Sequence, residues 1–446
     1  MLTCPLDFRY GREEMKSIFS EEGRLQRFLE VEAALAFAHA AVGNIPKEDA
    51  DNIANAVASK SVNVERVKEI EKEIRHDLMS VVKALAEQSG DSGRYVHLGA
   101  TSYDIEDTAF ALQFKDVIKI LRDALMGLRR ALAGLSDKHK NTVMLGRTHG
   151  QAAVPITFGL KMAVYTLEVH RHLERLDEIE KRICVGKMSG ATGTGAGFGP
   201  EALEIQKIVM DNLGLGYEEA SSQIVGRDRY AEFITYCANV AASLEKFATE
   251  VRNLQRTEIG EVAEAFDVEK FVGSSTMAQK KNPETSENIC GLARIIRGFV
   301  HPTYENIPLW HERDLTNSSS ERFIIPHVCI LTDDILAKMT DVFSNLVVNE
   351  ERMMDNIKNT KGQVMSESVM MTLTKKGMDR QEAHEMIRKL AMTAQEKNVE
   401  LKEVLLGSME IARLLTTDEL DKALDPLNYI GSSVQIVDNV LRKVRD

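Results

Sequence analysis

The sequence predicts an all-α protein: a central bundle of long helices flanked by two smaller helical domains. Three observations carry this. Leu121, Leu125, Leu128, Leu132 and Leu135 step by four, three, four and three residues, and Val240, Leu244, Phe247, Val251 and Leu254 repeat the pattern. Such seams lay one apolar stripe along a helix, to be hidden against other helices. None of the nine prolines lies between Pro46 and Pro155, between Pro200 and Pro283, or between Pro326 and Pro426. Proline breaks helix interiors, so these tracts leave room for long helices. Finally, no long run alternates apolar and polar residues between turn residues, so strands are hard to place.

In chain order, residues 1–99 read as an N-terminal domain of shorter helices ending in the loop QSGDSGRYVHLGATSYD. Residues 100–345 hold the long-helix bundle, where Leu173, Leu176, Ile179 and Ile183 form a third stripe. Residues 346–446 resume as shorter charged helices, broken near KKGMDRQ and DPLNYIGSS. The glycine-rich stretch GKMSGATGTGAGFGP (186–200) lacks the full GxGxxG pattern and follows the helical DEIEKRICVG. A dinucleotide fingerprint needs a preceding strand within a βαβ unit. A close-packed turn between helices is the preferred reading.

At 446 residues the chain exceeds one ordinary core, and its 43% apolar and 28% charged residues are an ordinary globular balance. The formal net charge of −12 disfavours nucleic acid as a partner. It does not disfavour an anionic small molecule, because local cations outweigh net charge. Five scattered cysteines, none spaced as CxxC, give neither a disulfide framework nor a zinc knuckle. The N-terminus shows no secretory signal, and the apolar stretches are too short to span a bilayer. The expectation is a cytoplasmic protein with no membrane partner, no metal and no cofactor.

Four polar loops stand out: EIRHDLMS with Arg75, His76 and Asp77; HLGATSYDIEDT, where Thr101 or Ser102 can cap the next helix; MLGRTHGQAAVPITFG; and FVGSSTMAQKKNPETSEN. His149, set among GRT and GQ, is the best acid/base candidate because imidazole titrates near neutrality. On spacing alone a structural role stays equally open. The Arg75–Asp77 triplet reads either as a site or as a solvated helix cap. In the last loop Ser274 and Ser275 offer hydroxyls, and Lys280, Lys281 and Asn282 offer donors for carboxylate or phosphate oxygens. Pro283 starts the next helix, whose N-terminal amides would add an anion-binding field. A serine base needs strong activation, which makes neighbouring cations relevant. WHERDLTNSSSERF adds Arg313, Ser318, Ser319, Ser320 and Arg322, a set suited to phosphate, and FRYG adds Arg9 and Tyr10.

GSSTMAQKKNP resembles the GSSxMPxKxNP signature of the fumarase/aspartase superfamily, whose members eliminate fumarate from succinyl-bearing substrates. Within it, RYG, RHD, ATSYDIEDT, GRTHGQ, SSQIVGRDRYAEF and HERDLTNSSSER look like the adenylosuccinate lyase family. The likeness runs through residues 9–322, and the C-terminal hundred or so residues contribute little to it. It implies a homotetramer with a central helical bundle, each active site assembled from three subunits. It implies adenylosuccinate and SAICAR as substrates and no cofactor. By position, His149 would be the general acid and Ser274 the base. Ser275, Lys280 and Asn282 would bind succinyl carboxylates. Arg9, Tyr10, Arg313, Ser318 and Arg322 would hold the AMP phosphate and ribose. Arg75, His76, Asp77, Thr101, Ser102 and Gln223 would line the remainder. Ala278 departs from the family pattern, which has proline there. Argininosuccinate lyase shares a QKKNP-like signature, but its substrate has no phosphate for Arg313 and Arg322. A catalytically silent helical scaffold is the reading from another class, and the full set of histidine, serines and lysine speaks against it.

Overall fold

The computed structural model describes residues 3–265, 277 and 280–445. Among these are twenty α-helices, five of them longer than twenty residues: Glu21–Ala41, Ser102–Lys138, Phe158–Ile183, Asp228–Leu254 and Thr316–Ser344. The apolar stripes account for three of the five. Leu121, Leu125, Leu128 and Leu132 are buried along Ser102–Lys138, as are Leu173, Leu176, Ile179 and Ile183 on Phe158–Ile183. On Asp228–Leu254 all five stripe residues from Val240 to Leu254 are buried. Each such side chain removed from water contributes about 2 kcal/mol before the cost of ordering it.

Proline does not always punctuate as expected. Pro326 lies inside the Thr316–Ser344 helix. Its missing N–H leaves the Arg322 carbonyl without a helical donor, one turn upstream.

The chain forms two packing units, each drawn from three stretches. One comprises Met1–Leu125, His172–Leu244 and Gly291–Ala337, and the other Met126–Arg171, Glu245–Cys290 and Lys338–Asp446. In the first, Leu29, Leu35, Ile53, Leu85, Ile205 and Val209 belong to one apolar core. In the second, Leu373, Ile387, Leu401 and Leu420 share a core among the C-terminal helices.

Strands, which no period-2 run marks in the sequence, do occur. Val143–Thr148 and Gln151–Thr157 form an antiparallel hairpin, paired from Val143 with Thr157 to Thr148 with Gln151. The GRTHGQ segment is therefore a hairpin tip rather than a loop between helices. Its two turn residues, His149 and Gly150, both have positive φ (55° and 73°), as a two-residue type I′ turn requires. Gly150 adopts this freely and His149 does so under strain. Period-2 alternation was absent because the first four residues, Val143 to Gly146, are all buried. Val143 and Leu145 pack with Ile357, Val364 and Met365.

The glycine-rich stretch also departs in one detail from the helical context expected. Val185–Gly186 pairs in parallel with Gly216–Tyr217, and the helix Ala202–Leu213 lies between them. The pair is only two residues long. The loop packs tightly, since a Cβ on Gly197 would stand 2.7 Å from the Gly99 carbonyl oxygen. Two of its amides, Ser189 and Gly190, donate to the Asp104 carboxylate, which also receives the buried Lys187 ammonium.

Candidate active site

The first unit gathers most of the residues expected to bind a nucleotide. Arg75, His76, Asp77, Ser102, Arg313, Ser318 and Arg322 line one open cavity of about 590 Å³. Its floor is built from helix ends. Arg75 ends the Val64–Ile74 helix in a left-handed conformation, φ 55°, and turns the chain so that His76 caps the next helix. The His76 Nδ1 accepts the Met79 N–H at 3.3 Å, so the proton of the neutral ring sits on Nε2. The triplet is thus both a helix cap and part of the cavity wall. Thr101 stands at the N-cap position of Ser102–Lys138, with its N–H donated to Asp104 at 2.8 Å.

Across the cavity, the Tyr103 hydroxyl donates to Ser318 Oγ at 3.2 Å. Burial is the main force raising the Tyr103 phenol to about 12, which keeps it a donor. The Arg313 guanidinium lies 3.4 Å from the Tyr103 ring centroid and donates through Nη1 to Gln223 Oε1 at 2.9 Å. Gln223 is in turn oriented by the Ala191 carbonyl at 3.0 Å. Arg313 Nε and Nη2 are buried and have no hydrogen-bond partner among the described residues. Buried guanidinium donors are costly to leave unused, so this edge suits an acceptor that none of the described residues supplies.

The same cavity carries acid groups. Asp77 pairs with Arg322, and Arg24 lies 3.6 Å from it. Burial works against the Asp77 carboxylate, but the Leu78 N–H, Arg322 and Arg24 outweigh it and hold its pKa below the ordinary value. Glu106 is the reverse case. Burial, reinforced by Asp77, pushes it up to about 7, despite Arg24 at 3.8 Å. Sequence reading passed over Tyr103 and Glu106, although Ser102 and Glu106 stand four apart and share a helix face. Arg9 and Tyr10 are not among the cavity's lining residues; they follow the Pro5–Phe8 helix, with the Arg9 guanidinium 5.9 Å from the Tyr10 ring centroid.

The second unit holds His149, Lys280 and Asn282. His149 is exposed at the hairpin tip. Two residues before it, Arg147 makes a fork to the fully buried Glu261, with Nη1–Oε2 at 2.9 Å and Nη2–Oε1 at 2.7 Å. Asn356 adds a third hydrogen bond to Glu261 at 2.8 Å. Lys280 and Asn282 line a separate cavity of about 710 Å³, with Arg252, Arg256 and Lys281. His149 does not line it. Ser274, Ser275 and Ala278 lie outside the described residues.

One expectation needs correction. The helix after Pro283 does begin at Glu284, but its N-terminal amides are not open to a ligand. Glu264 occupies them, accepting from Thr285 N at 3.2 Å, Ser286 N at 2.7 Å and Ser286 Oγ at 2.5 Å. The chain supplies its own anion there, as the field of a helix N-terminus favours.

Comparison with known proteins gives the family. A lyase family model matches residues 7–298, and a model described as the adenylosuccinate lyase C-terminus matches residues 362–440. The C-terminal segment, from which sequence reading drew little, therefore carries a family signature of its own. An adenylosuccinate lyase from Pyrococcus horikoshii is 51% identical over 100% of this chain and 99% of its own length. One from Aquifex aeolicus is 42% identical over 97% and 98%. Among solved structures, a fumarate lyase from Mesorhizobium sp. BNC1 superposes with a TM-score of 0.90 at 33% identity, covering 97% of this chain and 98% of that one. A 3-carboxy-cis,cis-muconate lactonizing enzyme from Pseudomonas putida gives 0.90 at 31%, covering 99% and 98%. With likeness running the full length and both ends matched by family models, the chain belongs to the adenylosuccinate lyase family of the fumarase/aspartase superfamily.

Proposed function

We propose that the chain eliminates fumarate from adenylosuccinate to give AMP, and from SAICAR to give AICAR. The observation that carries the nucleotide half of this reading is the Arg313 guanidinium, laid on Tyr103 with two buried N–H groups unpartnered, beside Ser318 and Arg322. A phosphate or ribose oxygen is the acceptor such an edge fits.

The reaction moves two protons. A base takes the proton from the succinyl carbon next to a carboxylate, and the electron pair of that C–H bond becomes the fumarate double bond. The C–N bond breaks toward nitrogen, and an acid returns a proton there. Negative charge builds on the adjacent carboxylate, so fixed donors around it lower the barrier. Ser274 is assigned the base and His149 the acid, with Ser275, Lys280 and Asn282 on the carboxylates.

Each site is assigned to several subunits of a homotetramer, working in the cytoplasm. The support is that His149 does not line the cavity of Lys280 and Asn282, so another copy can complete the set. Trp310, Leu315 and Phe323, exposed by 78%, 70% and 65%, offer apolar surface for subunit contact. The test is direct: release of fumarate from adenylosuccinate, SAICAR and argininosuccinate by the purified protein. Release from argininosuccinate alone would overturn the assignment.

A further inference from the structure

Beneath the cavity of the first unit lies a cluster to which the proposed reaction gives no role. Arg227 is 3% exposed and lies between two buried carboxylates on different helices. Its Nη1 and Nη2 each stand 2.9 Å from an oxygen of Asp107, and its Nε is 2.8 Å from Glu321 Oε1. The two acids are satisfied further: Val225 N–H donates to Asp107 at 2.8 Å, and Asn317 donates to Glu321 at 3.0 Å. The guanidinium also donates to the Val225 carbonyl at 2.9 Å and faces the Tyr230 ring, 4.5 Å from its centroid.

Each arm of this cluster lies close in sequence to a cavity residue or, for Gln223, to the partner of one, Arg313. Asp107 is one turn after Tyr103, Glu321 is three residues after Ser318, and Arg227 is four residues after Gln223. Tyr103 and Asp107 share a face of the Ser102–Lys138 helix, and Ser318 and Glu321 a face of Thr316–Ser344, so fixing the lower residue fixes the upper one. Gln223 and Arg227 lie in the loop before Asp228–Leu254, and Val225, bonded to both Asp107 and Arg227, pins that loop between them. The cavity contacts link the same three segments: Tyr103 to Ser318, and Arg313 to Gln223 while resting on Tyr103. Buried charges are tolerated only when geometry is fully met, so a three-way fork of this kind admits one relative placement of its arms.

We infer that Arg227 is a positioning residue for the nucleotide half of the substrate, holding Tyr103, Gln223 and Ser318 in register through Asp107, Val225 and Glu321. This rests on the nucleotide reading above. Lysine at 227 keeps the charge and loses the fork.

The test is competitive inhibition of fumarate release by AMP and, separately, by fumarate, in the full-length enzyme and in Arg227→Lys and Glu321→Gln. The inhibition constant for AMP should rise about tenfold in each variant, while that for fumarate stays within about twofold. A cluster that served only the fold would lower the melting temperature and leave both constants alone. If Arg227→Lys does not fold, Glu321→Gln carries the expectation, since it removes one charge and keeps the side-chain shape. An unchanged AMP constant in whichever variant folds, or an equal rise for AMP and fumarate, overturns the inference. Failure of AMP to inhibit the unsubstituted enzyme would overturn the nucleotide reading itself, and this inference with it.

Discussion

Arg147 and Glu261, 114 residues apart in the chain, meet through two parallel hydrogen bonds of 2.9 and 2.7 Å just before the hairpin tip that carries His149. Glu261 is fully buried, so the pair is not a surface ornament. Arg147→Ala leaves an uncompensated carboxylate in the interior, and a loss of about 3–5 kcal/mol is expected in chemical denaturation. Replacing both residues by Met should recover most of that loss, because no buried charge is then left alone. Turnover should stay at least about tenfold low in the double variant, since the fork that aims the hairpin is gone. Equal recovery of stability and turnover would show that the pair has no part in aiming His149.

At the tip itself, His149 must be replaced without disturbing a turn that demands positive φ. Asparagine tolerates that conformation far better than alanine. His149→Asn is therefore the cleaner probe, and turnover should fall by about 10²–10⁴ with the helical circular dichroism spectrum unchanged. Near-normal turnover in a folded His149→Asn enzyme would remove the assignment of His149 as the acid. His149→Ala should show the same loss of turnover plus about 1 kcal/mol of added instability from the strained turn.

How much of this could be read from the chain depends on the range of the interactions. The helical seams were legible because burial repeats locally: Leu121 to Leu132 each face the same way every three or four residues. The residues of the first unit's cavity were legible as chemistry, since Arg313, Ser318 and Arg322 lie within ten positions of one another. The hairpin was missed because its first strand is buried on both faces, and the His149–Gly150 pair was its only turn signal. Glu264 at the helix N-terminus and the Arg227 cluster were invisible for another reason. Their partners lie 21 and 22, or 94 and 120, residues away, and no local spacing encodes such contacts.

Glu106 makes stability depend on pH in a direction opposite to most carboxylates. Its pKa stands at about 7 in the folded chain against an ordinary 4.5, with burial the first cause and Asp77 the next. Below 4.5 both states hold the proton, so the group is neutral to stability. As pH rises from there to about 7 the unfolded chain releases the proton while the folded chain keeps it. Stability therefore falls through that window and levels off above it, by at most about 3 kcal/mol. Glu106→Gln removes the titration. The stability of the variant relative to its parent should improve by about 1–3 kcal/mol between pH 4.5 and pH 8 in urea titrations. A difference that does not change with pH would show that Glu106 ionises normally.

Arg313 offers a test of what the cavity recognises. Its Nη1 is taken by Gln223, while Nε and Nη2 are buried and unpartnered among the described residues. Lysine there keeps the charge but cannot present a planar fork while resting on Tyr103. Arg313→Lys should raise KM for adenylosuccinate about tenfold or more, with kcat within about threefold, because the lost contact is made equally in ground and transition states. A fall in kcat at constant KM would place Arg313 at the breaking bond rather than on the nucleotide.

Sharing of each site between subunits has the most demanding test. His149 and the pair Lys280–Asn282 do not line one cavity, although the elimination needs an acid and carboxylate donors around one substrate. If copies complete each other's sites, a tetramer mixed from His149→Asn and Ser274→Ala chains contains some sites that draw both intact residues from different chains. Each parent should be nearly inactive. The mixture, after denaturation and refolding together, should regain up to about a quarter of normal turnover, the share set by random assortment of two chains over each two-residue combination. Verified mixed tetramers that stay as inactive as their parents would place His149 and Ser274 of every site on the same chain.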